Sequence, residues 1–123
     1  MIFCAGREES FPFAKTIGVG LVESAINLTK ICLFNRPEFI LFIGSAGSYG
    51  KHNIFDIVES KNSSNIELSF LQNFAYTPID NAVRIDTSLT NSEVIVNSSN
   101  YISINQILSK DFLQYNVELE NME

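Results

Sequence analysis

The sequence predicts an α/β protein built around a mostly parallel sheet. Three observations carry this expectation. Ile2–Ala5 and Thr16–Gly20 are short apolar runs that close in glycine. From Leu21 the apolar residues recur at helical spacing. After Arg36-Pro37 comes an unbroken apolar run, Phe39–Ile43. Strand, helix and strand joined by short connections form the grammar of a parallel α/β sheet. At 123 residues, 46% of them apolar, the chain suits one domain over 1–123 with a core of its own.

Each element follows from its local pattern. Ile2–Ala5 reads as a buried first strand ended by Gly6, and Thr16–Gly20 as a second. Leu21, Val22, Ala25, Ile26, Leu28, Thr29, Cys32 and Leu33 predict an amphipathic helix over Leu21–Phe34, stopped by Pro37. Phe39–Ile43 is expected as a central strand buried on both faces, broken by Gly44-Ser45-Ala46-Gly47-Ser48. Ile54–Glu59 reads as another strand and Lys61–Asn65 as a polar loop. Ile66–Asn81 fits either a short helix or an irregular aromatic segment. Val94–Val96 has high strand propensity. Ile102–Tyr115 carries Ile104, Ile107, Leu108, Phe112 and Leu113 at helical spacing, with Ser103 or Asn100 as its cap. Val117–Met122 reads as a last strand or extended stretch.

Composition narrows the function classes. The net charge of −6 argues against a nucleic-acid or anionic-membrane surface, since phosphate contacts need clustered Lys and Arg. Cys4 and Cys32 lie in apolar runs outside any metal or redox spacing, which predicts free thiols in a reducing, cytoplasmic compartment. No apolar run has the length of a membrane span, and Met1–Gly6 lacks the features of a signal peptide.

The motif inventory is short. Ile43-Gly44-Ser45-Ala46-Gly47 lacks the first glycine of a nucleophile elbow. His52, the only histidine, lies in a polar loop and reads as a solvated surface residue. His, Cys and carboxylates do not cluster as metal ligands, so neither metal nor cofactor is expected. The Gly-Ser-Ala-Gly turn has two readings. It is a ligand cradle at the carboxyl end of a strand, where open α/β sheets bind ligands, or an ordinary tight strand exit.

Several stretches appear in an order that suggests a family. They are Ala5-Gly6-Arg7-Glu8-Glu9, Gly18-Val19-Gly20 before a helix, Phe42-Ile43-Gly44-Ser45-Ala46-Gly47, Val94 to Ile102, and Glu120-Asn121-Met122-Glu123. Together they resemble the nucleoside phosphorylase and nucleosidase superfamily, closest to the nucleosidases of 5′-methylthioadenosine and S-adenosylhomocysteine. The resemblance implies a three-layer fold with a central mixed, mostly parallel sheet, incomplete at the C-terminal end. It also implies a homodimer, a purine nucleoside substrate and cleavage of the N-glycosidic bond.

Such cleavage passes through an oxocarbenium-like transition state, and carboxylates serve it by activating water and holding the sugar. By resemblance, Glu9 activates the water and Glu123 accepts the ribose hydroxyls, with Met122 against the sugar. Ser45, Ala46 and Gly47 line ribose and base, while Tyr101 stacks on the purine beside Ile102. Phe74 and Tyr76 are weaker candidates for a pocket wall or dimer interface. The phosphorylase branch carries an arginine just before its Gly-Ser turn. Leu41-Phe42-Ile43 supplies none here, which favours hydrolysis over phosphorolysis.

Two departures from the family bear on activity. The family places a helix and extra strands where this chain has only the short span from Glu9 to Thr16. It also continues past its Met-Glu signature to a strand ending in Ser-Asp, whose aspartate helps protonate the leaving base. The expectation is therefore impaired activity for this chain. A non-catalytic nucleoside-binding or dimerisation remnant is one alternative. An unrelated flavodoxin-like domain holding a phosphate is another.

Overall fold

Hydrogen bonds on both edges of Ile2–Cys4 (β1) organise the N-terminal part of the molecule. In the computed structural model, which describes residues 1–123, the chain divides into two compact units. The first is Met1–Ser45 with Met122–Glu123; the second is Ala46–Asn121.

In the first unit β1 pairs in parallel with Lys15–Thr16 (β2) on one side and Leu41–Phe42 (β3) on the other. The ladder runs past the strand ends. Gly18 N–H donates to Ala5 O at 2.8 Å and Ile43 N–H to Phe3 O at 2.9 Å. Lying in the middle, β1 buries Phe3 and Cys4, and the following Ala5 is buried with them. This corrects the expectation for Phe39–Ile43. That run forms the sheet edge, not its centre, and Leu41 stays 42% exposed. An apolar run marks a strand; its position in the sheet depends on which strand finds two partners.

The helix Leu21–Asn35 (α1) matches its predicted span. Gly20, at φ 91°, turns the chain into it, and Arg36, at φ 43°, ends it with its N–H donating to Cys32 O. Its apolar stripe does not behave as expected. Val22, Ile26, Leu33 and Phe34 are exposed, and Ser24 is the buried residue. Polar side chains dock this helix: Ser24 Oγ donates to Gly18 O (3.1 Å) and Asn27 Nδ2 to Ile17 O (2.9 Å). Cys4 is a buried free thiol and Cys32 a partly buried one.

The second unit contains Gly47–Ser48 (β4), Asn62–Ser64 (β5), Leu68–Leu71 (α2), Ala82–Arg84 (β6), Ile95–Ser98 (β7), a 3-10 helix over Leu108–Tyr115, and Val117–Asn121 (β8). Its sheet runs β4-β8-β7-β5-β6, parallel across β8-β7-β5 and antiparallel at both edges. The core is Tyr49, Ile66, Ile95, Phe112 and Val117, with Tyr49 and Phe112 stacked at 4.3 Å.

Three expectations fail in this unit. Ile54–Glu59 forms no strand: Asn53 and Asp56 close a hydrogen-bonded turn, and Phe55 is left 97% exposed. Lys61–Asn65 is not a loop but contains β5. Its Asn62 and Ser64 are buried between two strand partners. The helix expected over Ile102–Tyr115 is confined to 108–115. Asn105, rather than Ser103 or Asn100, precedes it, its Oδ1 accepting from Ile107 and Leu108 N–H.

The protein is thus mixed α/β, with one all-parallel sheet, one mixed sheet and few helices. No helix is long and apolar enough to cross a membrane.

Candidate functional site

The carboxyl ends of β1, β2 and β3 all point the same way, because the three strands are parallel. The segments leaving them carry Glu9, Gly18–Gly20 and Gly44-Ser45. Glu9 is placed by a tight turn in which Glu9 and Gly6 exchange backbone hydrogen bonds, at 3.0 and 3.2 Å. Its Oε1 accepts the Ser45 N–H at 3.2 Å and also the Ser45 hydroxyl. Gly44 permits this approach: a Cβ there would lie 2.8 Å from Glu9 Oε2.

Glu123 belongs to the same unit. Its Oε2 accepts the Met122 N–H at 3.2 Å, and the Gly20 backbone N–H also reaches its carboxylate. Burial pushes the Glu123 carboxyl above its ordinary range and the charge of Glu9 adds to this, while the two backbone donors pull the other way. The structure therefore brings together Glu9, Ser45, Met122 and Glu123. Chemically they offer two interacting carboxylates, a hydroxyl and backbone donors at the open end of a parallel sheet.

The remaining predicted residues belong to the second unit. Ala46 is exposed, and Gly47 pairs with Glu120 at the β4 edge. Tyr101, 77% exposed, and Ile102 border a cavity of about 200 Å³ whose lining includes Asn97, Ser99, Ser103 and Glu120. Phe74 and Tyr76 are exposed, and Tyr76 lines a separate hollow of about 160 Å³.

Sequence reasoning missed two buried carboxylates on β8. A bulge between β7 and β8 carries the register from Ile95↔Val117 to Val96↔Leu119 and skips Glu118. Burial works against the charge of Glu118, but hydrogen bonds from Lys51 and His52 outweigh it and hold the carboxyl below its usual range. His52 is consequently not a solvated surface residue: its Nε2 lies 2.7 Å from Glu118 Oε2 and its side chain is largely covered.

Glu120 accepts from Tyr49 Oη at 2.7 Å, Ser103 N at 2.8 Å and Ser103 Oγ at 3.2 Å. Burial, followed by this bond to Glu120, pushes the Tyr49 hydroxyl far above its ordinary value. Acids inside the apolar pattern Val117-Glu118-Leu119-Glu120 were the available signal. Buried acids require partners, and Tyr49, Lys51 and His52 lie close together elsewhere in the chain.

No group of three or more His, Cys, Asp or Glu side chains is arranged to hold a metal ion. No family model matches the chain, and no curated protein or solved structure matches it.

Proposed function

We propose that the protein is a purine nucleosidase-like hydrolase acting on the N-glycosidic bond of nucleosides of the 5′-methylthioadenosine type. The observation that carries the reading is the meeting of Glu9, Ser45 and Glu123 from three distant parts of the chain, at the carboxyl ends of parallel strands. In this reading Glu9 is the base for water, oriented by Ser45. Glu123 holds the ribose hydroxyls, its carboxylate oxygens accepting from them as Oε2 accepts the Met122 N–H. The three-layer phosphorylase-like fold, a homodimeric state and a cytoplasmic setting belong to the same proposal.

The test is release of free adenine from 5′-methylthioadenosine, followed chromatographically with and without phosphate. Release independent of phosphate is expected, and Glu9→Gln should slow it by about 10²–10⁴-fold, the usual contribution of a positioned general base. Release that requires phosphate would move the protein to the phosphorylase class. Absence of both binding and cleavage of the nucleoside would overturn the reading.

A further inference from the structure

The 200 Å³ cavity of the second unit contains a negative charge that its own walls do not neutralise. Its lining includes two carboxylates, Glu67 and Glu120, and no Lys, Arg or His. Glu120 is 6% exposed, and the hydrogen bonds that hold it come from neutral donors: the Tyr49 hydroxyl, the Ser103 N–H and the Ser103 hydroxyl. Neutral donors satisfy oxygen lone pairs without removing the charge. Away from bulk water, that charge attracts a cation more strongly than it would at the surface.

The geometry also leaves an opening. A carboxylate has about four lone-pair sites. Ser103 and Tyr49 hydroxyls share Oε2, whereas Oε1 accepts the Ser103 N–H. The Ser103 hydrogen bonds also tie Glu120 to the segment after Tyr101, so the acid is fixed against the cavity wall. Ile66, Leu68 and Phe112 supply apolar lining, and Tyr101 brings an accessible aromatic ring. Glu67 is itself engaged, accepting from Ser99 Oγ at 2.8 Å.

We propose that this cavity binds a small organic cation, an ammonium or amidinium on a compact apolar body, with an N–H directed to Glu120 Oε1 and the Tyr101 ring beside it. The size supports a compact ligand, since drug-sized ligands occupy roughly 300–1,000 Å³. Aromatic rings attract cations through their faces, and hydrogen bonds between ionised groups are stronger than neutral ones. This proposal rests on Glu120 and uses none of Glu9, Ser45 and Glu123, although the cavity shares Tyr101 and Ile102 with the residues that the resemblance assigns to the purine.

The probes are benzamidine, its neutral relative benzamide and its anionic relative benzoate, each titrated into the intact protein and followed by amide chemical shifts. Benzamidine should shift the amides of Ser99, Tyr101 and Ser103 and bind at least about tenfold more tightly than benzamide, a margin within reach of one charge-assisted hydrogen bond. Benzoate should not bind there. Glu120→Gln should reduce the preference for the cation to less than about threefold on the same scale, while Glu8→Gln, outside the unit, leaves it unchanged. If Glu120→Gln fails to fold, the wild-type series decides alone. Equal binding of benzamidine and benzamide, no binding of benzamidine, or shifts confined to other residues would overturn the proposal. Because none of the probes is a nucleoside, failure here is distinct from failure of the nucleosidase reading.

Discussion

In the first unit, Glu9 and Glu123 lie beyond the ends of short parallel strands, among glycines and an exposed serine. In the second, Glu118 and Glu120 sit within a sheet strand, each gripped by side chains from a distant segment. In the first arrangement burial raises the Glu123 carboxyl above its ordinary range, and the charge of Glu9 adds to the rise. In the second, Glu118 is paired with bases and its pKa falls. A partly buried acid beside a second carboxylate at a strand end is the kind of group whose shifted pKa suits chemistry. Acids locked by bases and hydroxyls are suited to holding segments together.

The largest effect expected from disturbing this contrast is in the second unit. Asn97 is completely buried; its Oδ1 accepts from Ser64 Oγ and Ile66 N, and its Nδ2 donates to Ile66 O. Asn97→Ala orphans both backbone groups of Ile66. It should cost about 3 kcal/mol, by the usual penalty for buried unsatisfied groups. Denaturant unfolding checks this, and a loss below about 1 kcal/mol would mean that water or repacking replaces the side chain.

Acidification should divide the units more gently. The depressed Glu118 carboxyl contributes stability present above the ordinary carboxylate range and lost as pH falls through its folded value. Glu93, lowered first by its hydrogen bond with Lys61, acts in the same direction. The raised Glu123 carboxyl does the reverse: its contribution is full below the ordinary range and is lost as pH rises through the folded value. Moving from neutral pH into the carboxylate range should therefore weaken amide-exchange protection on β7 and β8 while strengthening it on β1. Parallel responses from the two units would contradict the opposed arrangement.

The smallest stability change belongs to Ser45→Ala. Ser45 is exposed, so the substitution should alter stability by no more than about 0.5 kcal/mol. It also removes the hydroxyl that donates to Glu9. A measurable fall in adenine release with an unchanged melting curve is the expected result. Unchanged release would remove Ser45 from the site.

Much of the fold was legible because several elements carry their instructions locally. β1, α1, β7 and β8 appear where period and composition predict them. β5 was illegible because Asn62-Ser63-Ser64 has low strand propensity. It is a strand because two neighbours complete its ladder and Asn97 receives the Ser64 hydroxyl. Ile54–Glu59 was misleading for the opposite reason. Its residues favour strand, but the Asn53–Asp56 turn takes the backbone first. Of the candidate site, the residue types of Glu9, Ser45 and Glu123 were readable by resemblance, while the roles of Glu118, Glu120 and His52 were not.

The sequence by itself determined the α/β class, the helix from Leu21, the glycine exits from the strands and the acids available for chemistry. These depend on periodicity and on the conformational freedom of individual residues, which are local properties. Tertiary structure alone decided that β1 is central and β3 an edge, that Glu9 meets Ser45, that Glu123 is raised and that Glu118 is lowered. Those outcomes depend on which distant groups complete a hydrogen bond or share an electric field, and sequence spacing does not encode that distance.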